Sequence, residues 1–361
     1  MDNSDNTVAT HYWRHLDNDH VVCTLCPREC ELREGKRGVC YVRMAQGGEI
    51  VLTSYGRSSG FCIDPIEKKP LHHFLPGTPV LSFGTAGCNL TCAFCQNWDI
   101  SKSRHMETLS ASATPEQLAK MAEQTGSRSV AFTYNDPVIF MEYALDVAAA
   151  CHARNIKTVA VTAGYINPEP RREFFAGMDA ANVDLKGFTE AFYHRICSGH
   201  LAPVLDSLRY LKHETQVWFE ITTLLIPGEN DSPVELEAMC RWIADELGPD
   251  VPLHFTAFHP DFHMLDKPHT PMTSLLQARD IAKAHGLHYV YVGNVHDVKD
   301  GSTWCPSCGE LVIERDAYRL GTWALHNGCC QHCGTKIPGV FEDRPGKWGP
   351  RRLPVEMSRM V

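Results

Sequence analysis

The sequence lacks three features that would place it in common classes of protein. It has no run of 18 or more apolar residues, so no transmembrane helix is predicted. Its start, MDNSDNTVATHYWRHLDNDH, lacks the basic and apolar regions of a signal peptide, so a cytoplasmic location with reduced thiols is expected. The net charge of −9 lacks the basic excess of a general nucleic-acid binder, and the locally basic stretch 344–360 is expected to be a solvated end. Neither a membrane nor a nucleic acid is therefore expected as a partner.

Cysteine is the residue that the sequence has in excess, with 16 in 361 positions. Grouped cysteines in a cytosolic chain indicate metal sites, whereas in a secreted chain they would indicate disulfides. The three groups are Cys23, Cys26, Cys30 and Cys40; Cys88, Cys92 and Cys95; and Cys305, Cys308, Cys330 and Cys333, with Cys329 beside them. Isolated cysteines are predicted to be small buried residues, and these are Cys62, Cys151, Cys197 and Cys240.

Strand-like and helix-like patterns alternate between the second and third cysteine groups. Strands are predicted at 79–84, 129–134, 158–163, 181–186, 217–226, 253–258 and 288–293. Helices are predicted at 114–126, 138–155, 189–196, 232–247 and 273–285. Thr114 and Gln117 form a predicted capping box at the start of the first helix. The alternation predicts an α/β fold with a parallel sheet, either open or closed into a barrel.

Polar residues follow these strands, at the edge where the carboxyl ends of parallel strands collect catalytic groups. The set comprises the three cysteines after the first strand, then Asn135, Asp136, Thr162, Asp184, Lys186, Glu220, His254, His259, Gly293 and Asn294. Any one of them alone would be an ordinary polar residue at a strand end. Because all seven strands contribute to one rim beside a cysteine group, we predict an active site there.

The stretch GCNLTCAFCQN, residues 87–97, holds three cysteines, one fewer than the four ligands of structural zinc. Three thiolates on a short loop can hold three irons of a cubane cluster and leave the fourth iron open to a chelating ligand. Phe94 can shield such a cluster, while Gly87 and Asn89 suit a tight, irregular backbone. The missing fourth ligand is therefore interpreted as the seat of a cofactor.

The motif CNLTCAFC resembles the C-x3-C-x2-C signature of radical SAM enzymes, in which S-adenosylmethionine (SAM) binds the open iron. Over about 60–300 the chain is similar to the activating enzymes of glycyl-radical enzymes, such as pyruvate formate-lyase activating enzyme. It also resembles the radical SAM member of the AmmeMemoRadiSam system, including both flanking cysteine groups. The stretches that carry these resemblances are PIEKKPLHHFLPGTPVLSFGTAGCNLTCAFCQNWDIS, TYNDP, DLKGF, EITTLLIPGENDS and YVYVGN.

The resemblance implies a fold, a reaction and roles for single residues. The fold is a partial (βα)6-type TIM barrel over residues 75–300, and the reaction is reductive cleavage of SAM to methionine and a 5′-deoxyadenosyl radical that abstracts hydrogen from a substrate. Cys88, Cys92 and Cys95 would ligate a [4Fe–4S] cluster. The residues implied to bind the cofactor are Phe94, Asn135, Asp136, Thr162, Asp184, Lys186 and His254. The chain departs from the family pattern at Asn135 and Asp136, where Gly-Glu is usual, and at Ala163, where the family has asparagine.

The flanking cysteine groups define two further segments. Residues 301–361 contain CPSCG and CQHCG, the paired knuckles of a zinc ribbon, so Cys305, Cys308, Cys330 and Cys333 are predicted to bind structural zinc. Residues 1–74 contain Cys23, Cys26, Cys30 and Cys40, whose spacing fits neither a zinc knuckle nor a ferredoxin motif cleanly. Zinc, an auxiliary iron–sulfur cluster and unligated packing all stay open for this group.

Two classes of function follow. The first is a radical SAM oxidoreductase supplied with electrons by a reductant such as flavodoxin or ferredoxin. Its substrate is either a small molecule or a residue of a partner protein, and the resemblance implies Memo-like or AMMECR-type proteins as partners. The second class is a zinc-bearing binding or scaffold protein in which every cysteine group is structural.

Overall fold

The amino-terminal part of the chain is built from short antiparallel strands. The computed structural model describes residues 6–16, 20–105 and 109–356. The strands of this part are β1 (Val8–Ala9), β2 (Trp13–Leu16), β3 (His20–Cys23), β4 (Glu31–Leu32), β5 (Arg43–Gln46), β6 (Glu49–Leu52) and β7 (Arg57–Ser58). One sheet has the order β1-β6-β5 and a second has the order β2-β3-β4. The sheets are small, so this part depends on the core on which it packs for much of its burial.

A nine-stranded sheet forms the centre of the molecule. The next strands along the chain are β8 (Phe61–Pro65), β9 (Pro79–Phe83), β10 (Ala111–Ser112), β11 (Ser129–Phe132), β12 (Lys157–Thr162), β13 (Ala180–Asp184), β14 (Trp218–Leu225), β15 (Leu253–Ala257) and β16 (Val290–Gly293). Seven of them run parallel in chain order, β9-β11-β12-β13-β14-β15-β16, while β10 pairs with β7 outside this sheet. All seven predicted strands are confirmed, and so is the α/β class with a parallel sheet.

The sheet is open among the residues that the structure describes. β16 forms one edge, and β8 pairs antiparallel with β9 on the other side. The core therefore has one parallel strand more than the six expected of a (βα)6-type partial barrel. β8 belongs by sequence to the predicted segment 1–74, yet it pairs across the boundary with the core, and the division of the chain at residue 74 stays a prediction.

Helices cover the parallel strands. They are α1 (Trp98–Ser101), α2 (Pro115–Gln124), α3 (Met141–His152), α4 (Pro168–Ala176), α5 (Glu190–Phe192), α6 (Ala202–Glu214), α7 (Pro233–Leu247), α8 (Met272–Ala284) and α9 (Val298–Gly301). The capping box of α2 is confirmed, since Gln117 N donates to Thr114 Oγ1 at 3.2 Å and Thr114 N donates to Gln117 Oε1 at 2.8 Å. In the described part of the chain, no helix combines the length and the apolar character that crossing a bilayer requires.

Shorter helical turns complete this part of the structure. Two 3₁₀ turns span Ile66–Lys68 and Pro137–Phe140, and a π turn spans Tyr193–Cys197. The predicted helix at 138–155 therefore begins as a 3₁₀ turn, and the predicted helix at 189–196 is the short α5 followed by the π turn.

The carboxy-terminal part carries the third cysteine group on short strands. They are β17 (Thr303–Trp304), β18 (Leu311–Asp316), β19 (Arg319–Trp323), β20 (Leu325–His326), β21 (Cys329–Cys330) and β22 (Leu353–Val355). β22 returns to the central sheet and pairs antiparallel with β8, with Leu353 opposite Ile63. Residues 344–356 of the stretch expected to form a solvated end are exposed or half-buried, and β22 within it pairs with a sheet edge; residues 357–360 lie outside the described residues.

The amino-terminal part and the core meet at the loop that follows β9. Gly87 has a φ of +84°, and a Cβ atom built on it would lie 1.9 Å from the carbonyl oxygen of Cys40. Cys23, Cys26 and Cys40 are buried in the same apolar core as this strand. The first two cysteine groups are therefore packed backbone against backbone, at a distance that only glycine permits.

Gly87→Ala is expected to destabilise the protein by about 3 kcal/mol or more, because the new methyl group overlaps a backbone oxygen that cannot rotate away. Gly126→Ala is the matched control. Gly126 also has a positive φ, +67°, but no atom lies within 4 Å of the position of its Cβ, so the substitution should cost only about 1 kcal/mol of left-handed strain. The midpoint of thermal unfolding of the two variants measures the difference. Equal midpoints would show that the two cysteine groups are not packed as described.

Candidate active site

A cavity of about 750 Å³ lies at the carboxyl ends of the parallel strands. Nearly all of the residues predicted to bind the cluster or the cofactor line it, namely Cys88, Cys92, Cys95, Phe94, Asn135, Asp136, Thr162, Asp184 and Lys186. Asn294, from the predicted rim, also lines it. These residues lie at or just beyond the carboxyl ends of five different strands, β9, β11, β12, β13 and β16, as the strand-end argument predicts.

The loop that carries the three cysteines has little regular structure of its own, and its backbone is held by neighbours. Thr91 N donates to the carbonyl of Cys197 at 3.0 Å, and Ala93 N donates to that of Ile196 at 2.9 Å. Asn89 Nδ2 donates to the carbonyl of Tyr165 at 2.8 Å. The π turn at Tyr193–Cys197 thus serves as the backbone partner of the loop, a role for which the sequence carries no signal.

The three thiols of the loop differ in exposure and in acidity. Cys92 is buried, whereas Cys88 and Cys95 are half-buried. Burial, with the Asp136 carboxylate as a smaller cause, raises the pKa of Cys88 to about 12. The neighbouring Cys197 thiol, together with Lys186, lowers the pKa of Cys92 against the opposing effect of burial. The surroundings of Cys88 and Cys92 thus shift the pKa values of the two thiols in opposite directions.

Cys197 was predicted to be a packing residue, and the structure also places its thiol beside the cysteine loop. It is buried, as predicted, and its thiol is close enough to that of Cys92 for each to shift the pKa of the other. Cys197 does not line the cavity. Three thiols of this region therefore face the cavity, and the fourth lies behind the loop.

Asp184 and Lys186 form an ion pair on the cavity wall beside the cysteine loop. Lys186 Nζ lies 2.8 Å from Asp184 Oδ2 and 5.8 Å from the centre of the Phe94 ring. Although burial opposes it, the Asp184 carboxylate raises the pKa of Lys186 well above its ordinary value. The pair presents a fixed cation and a fixed anion to whatever occupies this end of the cavity.

Asn135 and Asp136 direct their polar atoms at the protein itself. Asn135 Nδ2 donates to the carbonyl of Gly87 at 2.7 Å, and Asn135 Oδ1 accepts from Thr85 N at 3.2 Å. Asp136 accepts from Thr162 Oγ1 at 3.0 Å and from Ala163 N at 2.9 Å. Burial raises the pKa of Asp136 despite these donors. The residues position the cysteine loop and the end of β12, and their predicted contact with the amino group of SAM stays a prediction.

His254 lies away from the cavity, although it was predicted to be near the ribose of the cofactor. It is deeper in the sheet than Thr256, which lines the cavity. Its Nε2 lies 2.7 Å from Glu220 Oε2, and its ring stacks on that of Tyr291. Glu220 is fully buried and also accepts from His73 N at 2.7 Å. The predicted rim residues Glu220 and His254 are thus joined in a buried network beneath the site, and His259 does not line the cavity either.

The end of the cavity away from the cysteines has residues that the sequence analysis did not single out. Lys69 Nζ lies 2.7 Å from Asp64 Oδ2, and Tyr134 Oη donates to the same oxygen at 2.8 Å. Burial lowers the pKa of Lys69 to about 8 against the effect of Asp64. Arg352 Nε lies 3.3 Å from the thiol of Cys62, another cysteine predicted only to pack. The two ends of the site thus differ, with the three thiols of the loop at one end and two cations, a carboxylate, a phenol and the Cys62 thiol at the other.

The four cysteines of the carboxy-terminal group converge tightly. Their sulfur atoms all lie within 4.8 Å of one another, with 3.5 Å between Cys305 and Cys333 and 3.8 Å between Cys308 and Cys330. Tetrahedral zinc with four thiolates requires sulfur separations of about 3.8 Å, given a Zn–S distance of about 2.3 Å. The predicted ligands are therefore brought together in an arrangement that could hold a metal ion.

The four cysteines of the amino-terminal group also come together, around a small enclosed cavity. Cys23, Cys26, Cys30 and Cys40 all line it. In the ranges that the structure describes, no three of these sulfurs lie within 4.8 Å of one another, and neither do those of Cys88, Cys92 and Cys95. Both groups are thus wider than the carboxy-terminal group.

Comparison with known proteins assigns the family. The profile of the radical SAM superfamily matches residues 83–240, which include the three-cysteine loop and the strands from β11 to β14. An uncharacterized protein of Methanocaldococcus jannaschii is 38% identical over 332 residues, which cover 91% of this chain and 98% of that protein. The two chains thus match over nearly their full lengths.

Solved structures show partial likenesses. A domain of pyruvate-formate lyase-activating enzyme from Bacteroides vulgatus is 18% identical, with a TM-score of 0.41, and the match covers 46% of this chain and 99% of that one. A radical SAM methyltransferase from Sphaerobacter thermophilus is 17% identical, with a TM-score of 0.48, and the match covers 66% and 71% of the two chains. The superfamily profile, the relative of nearly equal length and the cysteine loop at the mouth of the strand-end cavity agree, and the chain belongs to the radical SAM superfamily, which implies [4Fe–4S] and SAM radical chemistry.

Proposed function

We propose that the protein is a radical SAM enzyme that holds a [4Fe–4S] cluster through Cys88, Cys92 and Cys95 and binds SAM in the adjoining cavity. The observation that carries the proposal is the placement of these three thiols, and no fourth from the same loop, at one end of a 750 Å³ cavity. When bound, the cluster and SAM supply reductive cleavage to methionine and a 5′-deoxyadenosyl radical. A one-electron reductant such as flavodoxin or ferredoxin is required.

The residues around the thiols fit this occupant. A cluster held by three thiolates is anionic, and Lys102 and Lys186 both lie close enough to lower the pKa of Cys92. The carboxylate and ammonium of the Asp184–Lys186 pair are complementary to the amino and carboxylate groups with which SAM chelates iron. Phe94 is buried beside the pair and keeps water from that side of the site.

The substrate is proposed at the end of the cavity that lies away from the cysteines. Lys69, Tyr134 and Arg352 line it, and both strands that carry its edge, β8 and β22, lie outside the matched superfamily region. Lys69 and Arg352 therefore come from parts of the chain outside the matched region, where substrate selection is expected, whereas Tyr134 lies within it. The sequence resemblance allows hydrogen abstraction from a residue of a partner protein, as in glycyl-radical activation, and equally from a small molecule. Membership of the AmmeMemoRadiSam system, with Memo-like or AMMECR-type partners, and modification of a small molecule both stay predictions.

The carboxy-terminal cysteines are proposed to bind zinc as a structural ion. Four thiolates close the tetrahedron and leave no position for a substrate, and their separations of 3.5 and 3.8 Å suit zinc. The ion would stabilise strands that otherwise bury only a small apolar cluster around Val312 and Ile313. Zinc is thus part of the enzyme's architecture, and the alternative of a purely zinc-bearing scaffold has no observation of its own in its favour.

Anaerobic protein reconstituted with iron and sulfide is expected to form 5′-deoxyadenosine from SAM after reduction with dithionite. Cys88→Ala should lower this product to background because one of three cluster ligands is lost. Cys151→Ala is the matched control, since Cys151 is buried in α3 and far from any cysteine group in sequence. If Cys88→Ala forms as much 5′-deoxyadenosine as Cys151→Ala, the proposal is wrong.

Lys186→Met is expected to weaken SAM binding about tenfold or more while iron content is kept, since a charge-assisted hydrogen bond contributes about 1.5–3 kcal/mol. Lys120→Met, at an exposed position of α2, controls for the loss of a positive charge. Equilibrium binding of SAM to the reconstituted protein, with iron determined on the same sample, separates the two effects. If Lys186→Met binds SAM with unchanged affinity, the Asp184–Lys186 pair does not contact the cofactor.

Asn135→Ala is expected to lower the iron content after reconstitution although it removes no ligand. The substitution leaves Thr85 N and the carbonyl of Gly87 without their partner, at a cost of about 1–3 kcal/mol for buried groups, and thereby loosens the cysteine loop. Asn97→Ala, at an exposed position on the same loop, is the control. If both variants take up as much iron as the unmodified protein, Asn135 does not position the loop.

A further inference from the structure

The amino-terminal cysteines form a site for which the radical SAM chemistry gives no account. Cys23 ends β3, Cys26 and Cys30 lie on the following turn, and Cys40 lies next to β5. The turn is fixed by Cys23 N, which donates to the carbonyl of Cys30 at 3.0 Å. Two neighbours, Glu29 and Tyr41, have positive φ values of 43° and 71°, a conformation that costs energy for residues other than glycine. The four thiols nevertheless meet around one enclosed cavity.

The separations of the sulfur atoms distinguish this group from a zinc site. One zinc ion draws four sulfurs to about 3.8 Å from one another, and the carboxy-terminal sulfurs, all within 4.8 Å, already approach this arrangement. No three of the amino-terminal sulfurs lie within 4.8 Å of one another among the described residues. An iron–sulfur cluster spreads its thiolates farther apart, because they bind different irons of the cluster. Among the described residues, the sulfurs of the three cysteines of the radical SAM loop do not all lie within 4.8 Å of one another either.

Two guanidinium groups provide an independent indication that the cavity has an anionic occupant. Arg43 is 1% exposed, and it uses Nη2 on Glu142 at 2.6 Å and Nε on the carbonyl of Ile139 at 3.1 Å. Its Nη1 is buried without a hydrogen-bond partner among the described residues, and Arg43 lines the cavity. Arg28 also lines this cavity, and its Nη2 is likewise buried without a hydrogen-bond partner among the described residues. Donors of this kind are costly unless a ligand accepts from them.

We propose that Cys23, Cys26, Cys30 and Cys40 bind an auxiliary iron–sulfur cluster, whose inorganic sulfides and thiolates accept hydrogen bonds from Arg28 and Arg43. The site adjoins the radical SAM loop. Asn89 lines its cavity, and Arg28 Nε donates to the carbonyl of Asn89 at 2.8 Å, one residue beyond Cys88. The auxiliary cluster thus lies against the backbone of the loop that holds the first cluster. The inference does not rest on the proposed function, since its ligands are separate from Cys88, Cys92 and Cys95.

The test uses the full chain with the radical SAM site removed. Protein carrying Cys88→Ala, Cys92→Ala and Cys95→Ala is reconstituted anaerobically with iron, sulfide and zinc, and then desalted. Iron, acid-labile sulfide and zinc are determined per chain, and the dithionite-reduced sample is examined by electron paramagnetic resonance. A second protein adds Cys26→Ala and Cys30→Ala, and a third adds Cys151→Ala instead as the matched control.

The triple variant and its Cys151→Ala control are expected to hold about two or about four irons with matching sulfide, and about one zinc in the carboxy-terminal group. Adding Cys26→Ala and Cys30→Ala should remove the iron and leave the zinc, which also reports that the chain is folded. Should that protein fail to fold, Cys30→Ser in the triple variant keeps the site and should shift the resonance, because an alkoxide replaces one thiolate. About two zincs without iron in the triple variant, or no metal at the amino-terminal group, would overturn the proposal.

Discussion

The site depends on the hydrogen bonds that hold the backbone of one irregular loop, the loop that carries Cys88, Cys92 and Cys95. A loop that must bring three thiols to the mouth of a cavity cannot form a helix or a strand, so its amide and carbonyl groups need partners from elsewhere. The side chain of Asn135 supplies partners for Thr85 and Gly87, and the π turn at Tyr193–Cys197 supplies carbonyls for Thr91 and Ala93. These partners come from the ends of different βα units of the sheet. The parallel sheet therefore holds the three cysteines through backbone hydrogen bonds, before any metal is considered.

The distances between sulfur atoms divide the three cysteine groups into one narrow site, which can hold a single metal ion, and two wider sites, which can hold a larger metal cluster. Four sulfurs within 4.8 Å of one another in the carboxy-terminal group leave room for one ion. The amino-terminal group and the radical SAM loop are both wider. They also touch, since the carbonyl of Cys40 rests where a side chain of Gly87 would be. The wide sites are thus adjacent, while the narrow site lies in a separate set of small strands, as expected if the wide ones share redox chemistry and the narrow one supports the fold.

Much of the core could be predicted from the sequence because its signals are local. The seven parallel strands are apolar runs, and the capping box that starts α2 needs only Thr114 and Gln117. Helices α4 and α6 were missed, although the apolar residues of α6 recur at helical spacing; α4 is short and polar, with two prolines in its first turn. The convergence of thiols with Asp184 and Lys186 could be predicted because strand ends of a parallel sheet meet.

The contacts that could not be predicted join residues far apart in the chain. Cys197 faces Cys92, and Arg352 reaches Cys62 across 290 positions, yet each of these isolated cysteines has the sequence surroundings of an ordinary core residue. His254 was misplaced for a different reason. Its strand was predicted correctly, but Glu220, one strand away and fully buried, needs a hydrogen-bond donor, and the His254 imidazole lies against it instead of lining the cavity.

The distribution of charge is consistent with anionic occupants at both wide sites. The chain as a whole carries a net charge of −9, which on its own would repel a cluster of thiolates. Locally the balance is reversed, because Lys102 and Lys186 lie beside Cys92, and Arg28 and Arg43 line the amino-terminal cavity. Burying a cation costs free energy unless an anion is nearby, and Glu142 accounts for only one nitrogen of Arg43. The remaining buried donors, Arg43 Nη1 and Arg28 Nη2, lack an acceptor within the protein, and the proposed iron–sulfur cluster supplies one.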